Sequence, residues 1–153
     1  MDLTRANVEA ELVGRVGADL LARLGMTALS DGTNADLNSP IAASLRTLDV
    51  ALAVPPVVTD ADFEPLANTA TDQLLDVAEL RLLMTLQNRA AVLVDQQIGT
   101  QSRISLGQIA KDLELAVTRL ERRVDRLYGV GRGVLTTGMM TLPIAARACT
   151  EEF

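Results

Sequence analysis

The sequence predicts a mostly α-helical bundle of about four helices, with a long loop and an extended C-terminal tail. The chain is 48% apolar but only 2% aromatic, so its core must consist mainly of Leu, Val, Ile, Ala and Met. This set of residues favours helices packed on helices, and apolar residues recur at helical spacing in four segments. A chain of 153 residues is the length of one domain and is long enough to bury a sizeable core.

The first half of the chain contains two predicted helices separated by a loop. The first runs from Thr4, its N-cap, to Leu24, because apolar residues recur at every fourth position between them. Residues 26–38 form the loop, which contains Asp-Gly and Asn residues typical of turns. Ser39 is the predicted N-cap of the second helix, with proline at its first position, and the helix ends at Val54 before two prolines.

The third helix is predicted from about Pro65 to Asp95, after a cap at Thr59, and it is the most apolar of the four. Between Leu74 and Leu86 the apolar positions cover most of its circumference, which is typical of a helix buried on several sides. We expect it to be the central helix of the fold, or a helix that also contacts a neighbouring subunit. The residues predicted at that subunit interface are Leu75, Leu82, Leu83 and Leu86.

The fourth helix is predicted from Ser105 to Tyr128 and ends at Gly129. Ser105 and Gln108 have the spacing of a capping box. The apolar residues approach a coiled-coil seam, but for fewer than three heptads, which favours a helical hairpin with the third helix. The arginines between them are interpreted as an exposed, salt-bridged face. The seam comprises Ile109, Leu113, Ala116, Leu120, Val124 and Leu127.

Residues 130–153 are predicted to form an extended apolar tail that follows a helical domain at 1–129. Four glycines between positions 129 and 138 disfavour a helix, yet the segment is too apolar for a free linker. We expect it to dock onto a partner; the alternative is an arm folded back on its own helices. The predicted partner-binding residues are Val130, Val134, Leu135, Met139, Met140, Leu142 and Ile144.

The composition leaves few routes to catalysis. Histidine is absent, and a single cysteine, Cys149, excludes an internal disulfide and a thiolate zinc cluster. One helical face carries three carboxylates, at Asp72, Asp76 and Glu79. Together with Glu114 they are the candidate ligands of a di-metal site. Such sites ordinarily pair Glu with His, so the three carboxylates are interpreted as a solvated face. No enzymatic activity, cofactor or metal is predicted.

The net charge of −6 is unevenly distributed along the chain. Residues 1–80 contain 4 basic and 13 acidic side chains, whereas residues 81–153 contain 10 basic and 7 acidic ones. The acidic half would repel phosphate, so specific nucleic-acid binding is not expected. The excess of acidic residues either keeps the protein soluble or forms a surface that must not adhere to DNA. No run of 18 apolar residues and no signal-like N-terminus is found, so neither a membrane span nor a signal peptide is expected.

The arrangement of the chain resembles the head–tail adaptor proteins of long-tailed bacteriophages, also called connector or head-completion proteins. The parts that carry the resemblance are the opening amphipathic helix, the loop with Asp31-Gly32, the long helix around LLDVAELRLLMTLQNRA and the apolar tail after Gly129. The resemblance spans the whole chain as an arrangement and includes no short motif. Members of this family are small, mostly helical proteins whose copies form a ring below the portal.

The resemblance implies a structural virion protein that forms a ring, expected to be a dodecamer, between the portal protein and a tail-side neck protein. DNA would pass through the ring without specific binding, and the expected locations are the head–tail neck of the virion and the host cytoplasm during assembly. Such a ring requires two different patches on each subunit. The alternative function is a cytoplasmic helical interaction module, such as a dimeric regulator or chaperone-like protein, which the fourth-helix seam favours.

Removal of residues 130–153 is expected to leave the helical bundle folded and to abolish docking or ring closure. The predicted helices end by Gly129, whereas each large apolar side chain of the tail would gain about 1.5–3 kcal/mol on full burial against a partner. In the isolated subunit the tail is expected to be loosely packed. Circular dichroism melting and an assembly assay on the truncated chain measure both effects. Unfolding of the truncated bundle would instead make the tail part of the core.

Overall fold

The computed structural model describes residues 3–96 and 100–129. All regular elements in these ranges are helical, which confirms the predicted mostly α-helical bundle. The predicted tail, with all of its partner-binding residues, lies outside the described residues. Two 3₁₀ turns, Asp60–Phe63 and Asn68–Ala70, precede the long helices. The helices are α1 (Arg5–Val16), α2 (Ala18–Arg23), α3 (Ala35–Thr47), α4 (Thr71–Gln96) and α5 (Thr100–Tyr128).

The first predicted helix is divided into two at Gly17. The hydroxyl of Thr4 accepts a hydrogen bond from the backbone N–H of Asn7 at 3.3 Å, so the predicted N-cap is confirmed. Gly17 has a φ of 95°, a conformation that glycine adopts without steric cost and that interrupts the helix. The prediction of one continuous helix was therefore wrong, and α1 and α2 are separate.

The start of α3 also differs from the prediction. Its N-cap is Asn34, whose side-chain oxygen accepts a hydrogen bond from the backbone N–H of Asp36 at 3.0 Å. The amide of Asn34 donates to the carbonyls of Thr27 and Leu29 at 2.8 and 2.7 Å. One side chain therefore caps the helix and closes the preceding loop, and the predicted cap Ser39 lies inside α3 instead.

The segment between α3 and α4 is irregular, and both flanking predictions were too long. α3 ends at Thr47, just before Asp49 with its positive φ of 61°, and does not reach Val54. α4 begins at Thr71, beyond the predicted start at Pro65. The predicted cap at Thr59 is confirmed, but it forms a capping box on a 3₁₀ turn and not on α4 itself.

The helix α5 begins earlier than predicted and ends where predicted. It starts at Thr100, so the predicted capping residue Ser105 lies within the helix. The side chain of Gln108 donates to Asp112 at 2.9 Å and takes no part in a cap. Gly129 has a φ of 65° and its N–H bonds to the carbonyl of Asp125 at 2.9 Å, which confirms the predicted end.

The core surrounds α4, which contacts α1, α3 and α5. This confirms the expectation that the most apolar helix is central. None of the helices within the described ranges is long and apolar enough to cross a membrane. The largest core side chains that are shielded almost completely are Leu12, Leu21, Leu24, Leu37, Ile41, Leu45, Leu74, Leu80, Leu82 and Leu86.

A buried ion pair within α1 attaches the irregular segments to the helices. Arg5 is 7% exposed and Glu9 is fully buried, and the Nε of Arg5 donates to the Oε1 of Glu9 at 3.0 Å. The other guanidinium nitrogens of Arg5 donate to the carbonyls of Asn34 and Val58. The carboxylate of Glu9 accepts the backbone N–H groups of Gly32 at 2.8 Å and Asn34 at 3.1 Å. The pair thereby satisfies backbone groups from two loops.

Replacement of Glu9 by glutamine is expected to lower the free energy of unfolding by about 3–5 kcal/mol, because it leaves the buried charge of Arg5 without a counter-charge. Urea-induced unfolding measures the loss. Glu11→Gln on the same helix is the matched control, since Glu11 forms a largely exposed pair with Arg15 at 3.1 Å. That change should cost less than about 0.5 kcal/mol. Equal losses for the two variants would contradict the structural role of the buried pair.

Candidate functional site

The second half of α4 has one side that the other described helices cover only in part. Its inward positions include Leu82 and Leu86, which are fully buried. On the other side, residues spaced three or four apart lie above one another on the helix surface and remain half-buried or exposed. Two grooves run along this side and share part of their lining. The outer face of α4 is defined by Arg81, Thr85, Asn88 and Val92.

The first groove, which we call the Arg81 groove, lies between α3 and α4 and has a volume of about 420 Å³. This is within the size range of ligand and peptide pockets. Its lining combines apolar surface with amide and hydroxyl groups and a single charged side chain. The lining residues are Ser39, Pro40 and Ala43 from α3, and Arg81, Met84, Thr85, Gln87 and Asn88 from α4.

Arg81 is unusual because it is half-buried and, within the described residues, has no counter-charge. Its Nε atom is buried without a hydrogen-bond partner, and no carboxylate in the described ranges forms an ion pair with it. Burial lowers the pKa of Arg81 below its ordinary value because the charged form loses hydration. A charged group that is partly removed from water is costly unless it is paired. The groove is therefore lined by a partly desolvated cation that has no counter-charge among the described residues.

The second groove, which we call the Val92 groove, lies between the end of α2 and α4 and has a volume of about 590 Å³. Val92 is 53% exposed and lies in the lining of this groove. Leu24 and Leu93 contribute further apolar lining, and Thr85 and Asn88 belong to both grooves. The two grooves therefore form adjoining parts of one mixed apolar and polar surface.

Arg89 fixes the wall of the Val92 groove. Its Nη1 donates to the carbonyl of Gly25 at 2.8 Å, and its Nη2 forms an ion pair with Asp36 at 3.3 Å. The same carboxylate accepts the backbone N–H of Thr27 at 2.8 Å. Because these contacts connect α4 to the end of α2 and the start of α3, the groove is a preformed feature of the fold.

The acidic cluster on α4 has a structural role that its sequence spacing did not indicate. Asp76 is 1% exposed, so its interpretation as part of a solvated face was wrong. Its carboxylate forms ion pairs with Arg15 of α1 at 2.9 Å and with Arg123 of α5 at 3.3 Å. It also accepts a hydrogen bond from the hydroxyl of Tyr128 at 3.0 Å. Asp76 therefore joins three helices, and Arg123 is not simply part of an exposed face.

The contacts of this cluster shift the pKa values of Arg15 and Tyr128. Desolvation opposes protonation of Arg15, but its hydrogen bonds to Glu11, Asp76 and Glu79 raise its pKa above the ordinary value. Burial, followed by the hydrogen bond to Asp76, raises the pKa of the Tyr128 hydroxyl. These groups remain an arginine cation and a neutral phenol at neutral pH, which suits a structural network.

The leucines predicted at a subunit interface are covered by the chain itself. The exposed fractions of Leu75, Leu82, Leu83 and Leu86 are 4%, 0%, 8% and 0%. The packing of α1, α3 and α5 around α4 therefore accounts for the apolar circumference without a second subunit. An interface at these four positions stays a prediction, and it would require another helix to move away from α4.

The carboxylates considered for a di-metal site do not converge. In the described part of the chain, no group of three or more Cys, Asp or Glu side chains is placed to hold a metal ion. Asp72 and Glu114 are both exposed, while Asp76 and Glu79 bond to arginine. The absence of enzymatic activity stays a prediction. Comparison of the chain with protein-family models, curated proteins and solved structures finds no match.

The Arg81 and Val92 grooves were not found by sequence reasoning. Both depend on where α2 and α3 lie relative to α4, and helical periodicity does not contain that information. One signal was present: Arg81 is a single charge within the apolar run Leu80 to Met84. A charge in such a position either finds a partner in the fold or remains available for one.

Replacement of Arg81 by methionine is expected to leave the fold intact and to raise the free energy of unfolding by about 0.5–1 kcal/mol. An unsatisfied buried donor such as Nε costs about 1–3 kcal/mol, and the exposed nitrogens of the same guanidinium lessen that cost. Methionine keeps the apolar stem that lines the groove. Arg46→Met at an exposed position of α3 is the control, with a change within about 0.5 kcal/mol. Thermal and urea unfolding measure both variants. A marked loss of stability for Arg81→Met would show that the guanidinium is satisfied in solution.

Proposed function

We propose that the chain is a ring-forming head–tail adaptor, a structural virion protein that joins a portal to a tail around a DNA channel. The observation that carries the proposal is the partly uncovered outer face of α4 with its two adjoining grooves. A compact helical domain with a preformed concave surface of this size is suited to receive another protein. The resemblance in chain arrangement supplies the more specific identity.

A ring built from one kind of subunit needs a receptor surface and a different surface that fits it. The grooves beside α4 supply a receptor. Exposed apolar side chains elsewhere on the chain are candidates for the surface that fits this receptor. The most exposed are Val54 at 90% and Val57 at 67%, which lie in the irregular segment between α3 and α4. Two unlike patches on one small domain favour head-to-tail association over a symmetric dimer.

The charge distribution supports the same proposal. Residues 1–80 carry 13 acidic and 4 basic side chains. In a ring with this part of each subunit towards the centre, the lumen would repel the phosphates of DNA. DNA could then pass without adhering, and its passage would depend on no base contact.

The ring is tested by the variant Val92→Glu with Leu115→Glu as its control. Both side chains are exposed to a similar degree, 53% and 56%, so neither change should unfold the chain. Val92 lies in the groove, whereas Leu115 lies on α5. Mass photometry should show rings of about twelve subunits for the native chain and the control, and subunits or small assemblies for Val92→Glu.

Cryo-electron microscopy of particles that contain the tagged chain tests its location. Density for the chain in the neck, between portal and tail, would support the proposal. A chain that is absent from particles, or present at a position outside the neck, would contradict it even where purified rings form.

The second candidate is a cytoplasmic interaction module that dimerises through α5. This helix packs mainly on α4, and several residues of its predicted seam are incompletely covered. Leu113 and Val124 are buried, but Leu120 is half-buried and Leu127 is 57% exposed. A dimer that Leu127→Glu dissociates and Val92→Glu leaves intact would favour this function over the ring.

A further inference from the structure

The cation in the Arg81 groove specifies the kind of group that the groove would receive. The guanidinium of Arg81 offers donors in a planar fork that matches a carboxylate. Beside it, Pro40, Ala43 and Met84 offer apolar contact, and Gln87 offers an amide for hydrogen bonds. The complementary occupant is therefore a short protein segment with one free carboxylate and exposed apolar side chains.

A second copy of this chain contains such a segment at residues 54–64, which we call the acidic–apolar segment. Val54 and Val57 are its exposed apolar side chains. Glu64 is exposed, and within the described ranges it has no ion pair or side-chain hydrogen bond. The other two acidic residues of the segment already accept hydrogen bonds within their own subunit. Asp60 accepts the backbone N–H of Arg5 at 2.7 Å, and Asp62 accepts the backbone N–H of Thr59.

The acidic–apolar segment is held in place by its own subunit. Asn38 of α3 donates to the carbonyl of Pro56 at 2.7 Å and accepts the backbone N–H of Val58 at 3.0 Å. Val58 and Phe63 are buried at 1% and 2% exposure, so they anchor the segment while its other side chains remain accessible. A segment that is already ordered loses little conformational entropy on binding.

We propose that the Arg81 groove of one subunit receives the acidic–apolar segment of the next, with Glu64 paired to Arg81. The groove and the segment are different surfaces of the chain, so a contact made head to tail would repeat around a ring or along a filament. It gives the guanidinium of Arg81 a counter-charge and covers two exposed valines. The inference rests on the proposed ring, because it names a contact between neighbouring subunits.

A double-mutant cycle with Arg81→Gln and Glu64→Gln tests the pairing. Sedimentation velocity over a range of concentrations gives the dissociation constant between subunits for the native chain, both single variants and the double variant. Each single change should weaken association by about tenfold, and the double variant should be no weaker than either single one, since the two residues act as a pair. The controls Arg46→Gln and Glu114→Gln remove exposed charges of the same type outside the contact and should leave association unchanged.

The exchanged variant, Arg81→Glu with Glu64→Arg, should restore association to within about threefold of the native chain, because the ion pair is re-formed in the opposite sense. Circular dichroism melting verifies that each variant is folded. If the exchanged chain does not fold, the cycle with glutamine still decides. Additive effects, or no effect of Arg81→Gln, would overturn the pairing, and so would a native chain that stays monomeric at all concentrations.

The outcomes separate this contact from the proposed function. Rings that Val92→Glu disrupts but Arg81→Gln does not would retain the adaptor proposal and overturn the pairing. An association that follows the Arg81 and Glu64 cycle in a chain absent from the neck of particles would retain the pairing and overturn the adaptor function.

Discussion

The buried ion pair between Arg5 and Glu9 is the constraint on which the irregular half of the chain depends. Most of the residues between α2 and α4 are outside α-helices, and only a few apolar side chains, such as Met26, Val58 and Phe63, anchor them in the core. The pair supplies a charged donor and a charged acceptor to backbone groups at Gly32, Asn34 and Val58, and its bonds to Asn34 and Val58 are buried. Glycine suits position 32 because its φ of 84° is unfavourable for other residues.

The same constraint determines where the candidate site forms. Once Asn34 is held, it caps α3, and the direction of α3 sets one wall of the Arg81 groove. Arg89 and Asp76 then connect α4 to its neighbours with paired charges. Arg81 differs from them because it is partly desolvated and unpaired. Among the described residues the buried charges of Arg5, Glu9 and Asp76 are paired, so Arg81 is an exception that the proposed contact with a neighbouring subunit would explain.

The proposed structural role in assembly would account for these features together. An adaptor does not need catalytic groups, but it needs surfaces that stay accessible until a neighbour arrives. A polar pairing between Arg81 and a carboxylate would add orientation and specificity to apolar contacts at Val92 and Val57, because a misplaced neighbour would leave the charge unpaired. The cost of that charge in the isolated subunit would be the consequence of a requirement for correct assembly.

The sequence by itself determined the helical class, the central position of the most apolar helix, the cap at Thr4 and the stop at Gly129, because hydrophobic periodicity and capping chemistry are local. Tertiary structure decided what local chemistry left open. Ser39 was the predicted cap, but Asn34 caps α3, and its amide also closes the preceding loop. Asp76 has the spacing of a solvated residue and is buried because arginines from two other helices reach it. The Arg81 and Val92 grooves lie between helices distant in sequence, so only the packing of α2 and α3 on α4 could create them.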